Sequence, residues 1–185
     1  GFDENNQVSQ FNILHGLENR EILALSQSIN SSQVAITLNG SGAINLNNVP
    51  LQIDANQNNL MTLKINKNGS LAWLKTINNE FLTSNKFDLC FGDENRVFLG
   101  ITFEQTIEVD GNNFVSQGQE DILLLKFDNN GTMEWSKTFG TEDVENISKL
   151  FYDNTVLFFG GEFSGEKQER LIGDCQFVNQ TNSLQ

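Results

Sequence analysis

Apolar and polar positions in this chain fall into short tracts, each closed by a small polar cluster. Residues 60–65 are short and apolar, and Asn68-Gly69 follows; residues 122–127 repeat the arrangement before Asn130-Gly131. Beyond the second turn Met133, Trp135, Lys137 and Phe139 stand at every other position, the period of a half-buried strand. Asn-Gly is the strongest short hairpin signal, because both central residues of a type I′ turn need φ > 0. The pattern therefore predicts two hairpins, each with a type I′ turn.

These hairpins are copies of each other. Residues 63–77 and 125–139 align without a gap, from Leu63 to Leu125, sharing Leu, Lys, Asn, Gly, Trp, Lys and Thr at matching places. Self-similarity at a fixed period means a stack of equivalent units. A second block recurs nearby: residues 91–103 line up with residues 151–163, and Phe, Asp, Phe, Gly and Phe coincide. It predicts a strand ending near Phe91 or Phe151, a polar turn, and an apolar strand in which Gly100 or Gly160 marks a bulge or close backbone packing.

A more diverged copy lies at the start of the chain. Phe2-Asp3-Glu4-Asn5-Asn6 echoes Phe127-Asp128-Asn129-Asn130, and His15-Gly16 echoes Phe139-Gly140. Residues 29–36 then take the place of the second hairpin. The expected fold is all-β: about three four-stranded antiparallel repeats of about 60 residues, resembling propeller blades. Residues 1–185 form one repeat domain, with units at 1–33 (partial), 34–95, 96–154 and 155–185 (partial). Strands at 97–103, 114–127, 132–139 and 147–152 make the cleanest unit. A β-trefoil, also three units of four strands, is the alternative.

Composition changes the picture little. One Pro and 15 Gly suit strands joined by tight turns, and 15 Phe with two Trp supply apolar bulk to an otherwise Asn-rich chain. The net charge of −13 weighs against nucleic acid, whose phosphates demand Lys and Arg, and against anionic membrane surfaces. Acidic residues are dispersed, which favours a solubility role. No apolar run approaches the ~20 residues of a bilayer-spanning helix. The chain starts at Gly1 without Met, which fits a processed or excised segment. Asn-x-Ser/Thr matches at Asn30, Asn39, Asn68, Asn130, Asn146 and Asn179 are expected by chance in so Asn-rich a chain.

Residues 120–140 resemble the β-propeller repeat of secreted bacterial proteins, the SBBP type. That pattern runs apolar strand, Lys, aromatic, Asp, a turn with Gly, then Trp-x-Lys-x-aromatic-Gly. Lys126-Phe127-Asp128, Gly131 and Trp135-Ser136-Lys137-Thr138-Phe139-Gly140 match it. Val156-Leu157-Phe158-Phe159-Gly160-Gly161-Glu162-Phe163 resembles the strand that follows. The copy at 60–77 lacks the Asp and the closing Gly, and the N-terminal copy lacks the Trp and the turn Gly. The resemblance implies a four-stranded blade, an extracellular or cell-surface setting, and a scaffold or binding role. The family shares no catalytic residues, so none is carried over.

Three units raise a problem of closure, because propellers need about four to eight blades. Open edges invite other chains. Gly1-Phe2-Asp3 corresponds to the end of the strand before the turn, whereas residues 176–185 stop short of that strand. One strand is therefore missing, and a partner can donate it. The expected function is a non-enzymatic extracellular structural, adhesive or assembly module. Its expected partner is another copy, as a homo-oligomer or polymer through sheet edges. The alternative is a carbohydrate-binding lectin with glycan sites between repeats.

Candidate chemistry is sparse. His15 lacks a Ser or Cys partner and reads as a strand-end residue. Cys90 reads as a buried free thiol; outside the cell a bridge to Cys175 is the other reading. Asp128-Asn129-Asn130-Gly131 has the look of a calcium loop without its register, and a turn explains the same residues. Trp73 and Trp135 recur at one inward position and are expected in the core rather than as sugar platforms. Glu142 and Asp143 read as solvated acids. No residue is assigned a catalytic, cofactor-binding, metal-binding or ligand-binding role.

Overall fold

Local chemistry sets the hairpins. In the second Asn-Gly turn the Asp128 carboxylate accepts hydrogen bonds from Asn130 N (2.8 Å) and Thr132 N (2.7 Å). Gly131 N donates to Asp128 O and Asp128 N to Thr132 O. Only the glycine takes a left-handed conformation (Gly131 φ 86°, Gly69 φ 83°), and neither Asn68 nor Asn130 does. These are type I turns closed by a glycine bulge, not the predicted type I′. The physical reason is the side-chain acceptor two or four residues back, which holds the preceding turn residues in the ordinary right-handed region.

The computed structural model describes residues 14–15, 21–28, 31–40, 44–51, 59–78, 86–153 and 155–164. Among them run β1 (Leu14–His15), β2 (Glu21–Gln27), β3 (Val34–Gly40), β4 (Asn45–Leu46), β5 (Val49–Pro50), β6 (Asn59–Ile65) and β7 (Leu71–Asn78). Then follow β8 (Phe87–Phe91), β9 (Val97–Phe103), β10 (Thr106–Val109), β11 (Asn112–Val115), β12 (Asp121–Phe127), β13 (Met133–Phe139), β14 (Glu145–Asp153) and β15 (Val156–Phe163). No helix among the described residues is long and apolar enough to cross a membrane.

The fold is all-β and repetitive. The first sheet has the order β2-β3-β6-β7 and the second β8-β9-β12-β13, antiparallel throughout; β14 and β15 pair as a third, two-stranded sheet. Strands that share a sheet thus begin at Glu21, Phe87 and Glu145, a different phase of the same period. Among the described residues the sheets close into neither a propeller nor the barrel that a trefoil requires.

Each complete sheet carries an inserted small hairpin, β4–β5 in the first and β10–β11 in the second. The second insertion splits the strand expected at 114–127. Asp121, buried at the start of β12, accepts from Gln117 N and Gly118 N and so caps the intervening loop. β1 pairs with β4, as β7 lies beside β10 with Lys75 bound to Asp110 at 2.7 Å. Leu14 and His15 therefore sit where the last strand of a preceding sheet belongs, in keeping with the N-terminal echo. Phe2 to Asn6 lie outside the described residues.

β8 lies between β2 and β14, so the sheets stack in sequence order. Leu60, Trp73, Leu99, Leu123 and Phe127 fill the core between the first and second sheets. Phe98, Ile122, Leu124, Phe139, Ile147 and Leu150 fill the core between the second sheet and β14–β15.

Candidate functional site

The third hairpin is docked by backbone donors reaching buried acceptors on the second sheet. Ile147 N donates to Thr102 Oγ1 (3.0 Å) and Leu150 N to Asp88 Oδ2 (2.7 Å). Tyr152 OH donates to Asp93 Oδ2 (2.5 Å), which raises the Tyr152 pKa. Gly100 is where the two surfaces close: a Cβ there would collide with Ile147 Cδ1. The predicted close backbone packing is real at this glycine. At Gly160, its counterpart, a Cβ would meet nothing within 4 Å.

Hairpin pairing corrects one alignment. Cys90 pairs with Phe98 and Phe91 with Val97, whereas Phe151 pairs with Phe158 and Tyr152 with Leu157. Tyr152, not Phe151, therefore takes the place of Phe91, because the third turn is shorter. Phe151 corresponds to Cys90 and points outward with Phe158, their rings 6.2 Å apart.

Position in the stack decides what these equivalent residues do. β9 is buried along its whole length, flanked by β8 and β12 and sandwiched by its neighbours. β15 has a similar apolar sequence, yet among the described residues it pairs with β14 alone. Phe98 is 4% exposed and Phe158 is 50% exposed. The edge of β15 carries no Lys, Arg or Pro, the residues that ordinarily guard an open strand. Its single charge, Glu162, meets Lys86 at 3.2 Å.

The other end of the stack shows the converse. Leu25 pairs with Ile36 as Leu89 pairs with Leu99, so the two leucines are equivalent. Leu89 is 4% exposed against the first sheet, whereas Leu25 is 63% exposed. The rest of that outer face is not open: Leu38, Met61, Leu63 and Ile65 are buried in a core of their own with Ile44, Leu46 and Leu51, so Leu25 is a single exposed side chain beside it.

The predicted candidates are dispersed. His15 pairs with Asn45 through β1. Cys90 is a free, half-buried thiol whose pKa is pushed up to about 12, first by burial and then by the Asp88 charge. Cys175 lies outside the described residues. Trp73 is buried against Phe127, ring centroids 5.7 Å apart, and Trp135 is half-buried beside Phe98 at 5.9 Å. Glu142 and Asp143 are exposed. Their neighbour Glu145, unremarked in the sequence, is buried and accepts from Thr141 N and Oγ1, both at 2.7 Å.

Lys64 was also unremarked. It is fully buried, and its ammonium crosses to the second sheet, donating to Asn95 O (2.6 Å) and Asn129 Oδ1 (2.7 Å). Burial lowers its pKa to about 8, against a smaller upward pull from Asp128. Its counterpart Lys126 stays within its own sheet, bound to Glu134 at 2.8 Å, a partner that Lys64 lacks because Ala72 stands at that place. The signal was the Ala72/Glu134 difference within the repeat.

These features define an all-β, repeat-like protein of stacked antiparallel sheets in which, among the described residues, β15 pairs on one side only. No protein-family model matches the chain, and no curated protein matches it.

Proposed function

We propose that this chain is a non-enzymatic structural or adhesive module of the cell exterior that associates through open sheet edges, with strand donation onto β15. The observation that carries the reading is β15 itself, a strand of the same apolar kind as the buried β9 but without a second neighbour among the described residues. An unguarded apolar edge is a template for another strand. The extracellular setting rests on the resemblance to secreted propeller repeats, and the charge of −13 keeps such a surface soluble.

The lectin alternative has less support, because Trp73 is buried and Trp135 is half-buried against Phe98, which favours a packing role for both. Hydrogen exchange tests the edge directly. The amides of residues 156–163 that face away from β14 are expected to be protected at high protein concentration and to lose protection on dilution, while those bonded to β14 stay protected throughout. If the amides facing away from β14 stay unprotected at every concentration, pairing at this edge is ruled out.

A further inference from the structure

Resting on the strand-donation reading, we infer that the β15 edge selects its partner by side chain. It takes an antiparallel strand of another chain that ends in a lysine followed by an aromatic residue. The lysine lies over Phe158 on the outer face, and the aromatic ring sits against Trp135 and Lys137 on the inner face.

The two complete sheets show what the third strand of a sheet brings. In both, a lysine stands at the same rung of the ladder, Lys64 opposite Ala35 and Lys126 opposite Phe98. The corresponding residue of the third sheet is Phe158, which pairs with Phe151 as Phe98 pairs with Cys90. Lys126 holds its ammonium 5.7 Å from the centroid of the Phe98 ring. A lysine across from Phe158 meets the same kind of ring, here 50% exposed.

Phe127 follows Lys126 and so points to the opposite face of the strand. The preceding sheet grips it: Trp73 packs on its ring at 5.7 Å, and Lys75 Nζ lies 5.6 Å from its centroid. On β13 the counterparts of Trp73 and Lys75 are Trp135 and Lys137. Trp73 is 7% exposed, whereas Trp135 is half-buried. Among the described residues Lys137 has neither a ring nor an ion-pair partner. Both stand where an aromatic residue of the next sheet's third strand belongs. The register follows: the lysine opposite Phe158 and the aromatic opposite Leu157, as Phe127 is opposite Val97. Pairing of β15 with the β15 of a second copy brings no lysine to Phe158, since that strand contains none. Residues 165–185 contain no lysine followed by an aromatic residue either.

A peptide titration on the full chain tests this, with residues 119–128 as the probe, since that stretch holds β12 and its Lys126-Phe127 end. Trp135 reports on binding, because it is the half-buried one of the two tryptophans. The peptide is expected to shift tryptophan emission to shorter wavelength and to saturate. Peptides carrying Lys126→Glu or Phe127→Ala are each expected to bind at least about tenfold more weakly. The changes lie in the peptide, so the fold of the chain is untouched. If either changed peptide binds as the native one does, the edge takes strands without reading their side chains; the inference is then overturned while pairing at the β15 edge stands. A native peptide that leaves the emission unchanged also overturns it, and hydrogen exchange along β15 then decides whether the edge reading falls with it.

Discussion

At the scale of single residues, Lys64 is the most consequential side chain in the interior. Its lowered pKa means that the unfolded chain holds this proton between about pH 8 and the ordinary 10.5, where the folded chain has released it. Its contribution to stability therefore rises with pH across that window and is flat below it. Cys90 opposes this above its ordinary 9.0, since its folded pKa is raised and the unfolded thiol ionises first. Urea unfolding of wild type and Lys64→Met isolates the lysine. Their stability difference is expected to move in favour of the wild type between pH 8 and 10.5, and parallel profiles would refute the assignment. Gly131 offers a second test, because a Cβ there would lie 2.8 Å from Trp73 Cγ in a left-handed backbone. Gly131→Ala is expected to cost about 1–3 kcal/mol. Gly111→Ala shares the backbone conformation but meets nothing, so about 1 kcal/mol is expected.

At the scale of elements, the two repeated hairpins were legible because turn signal, strand alternation and repetition agreed at the same residues. The turn type was not, because it depends on where the Asp128 carboxylate finds donors. The inserted hairpin β10–β11 was missed although Asp110-Gly111 between Val109 and Asn112 is itself a hairpin signal. Phe114 and Val115 were read instead as the start of β12. No sequence signal distinguishes Phe158 from Phe98 or Gly160 from Gly100, because exposure here depends on which sheet lies alongside. Docking of β14–β15 is testable through Asp88, which is buried and accepts from Leu150 N. Asp88→Ala leaves that donor unpaired. Amides of 145–153 and 156–163 are expected to exchange at least about tenfold faster, with 59–78 unchanged. Uniform acceleration would show that the hairpin and the first sheet open as one unit.

At the scale of the whole molecule, the repeat matters less for what it builds than for where it leaves off. Among the described residues, two four-stranded sheets and a hairpin bury their shared faces and leave β15 with an unpaired edge and with Phe158 exposed on its outer face. Leu25 and Phe158 would be core residues in a longer stack, and they are surface residues here only by position. Sedimentation equilibrium across the micromolar range tests this account most directly. The expected result is a mass that climbs with concentration through multiples of the single-chain 20.7 kDa. A mass fixed at 20.7 kDa over the whole range would contradict it.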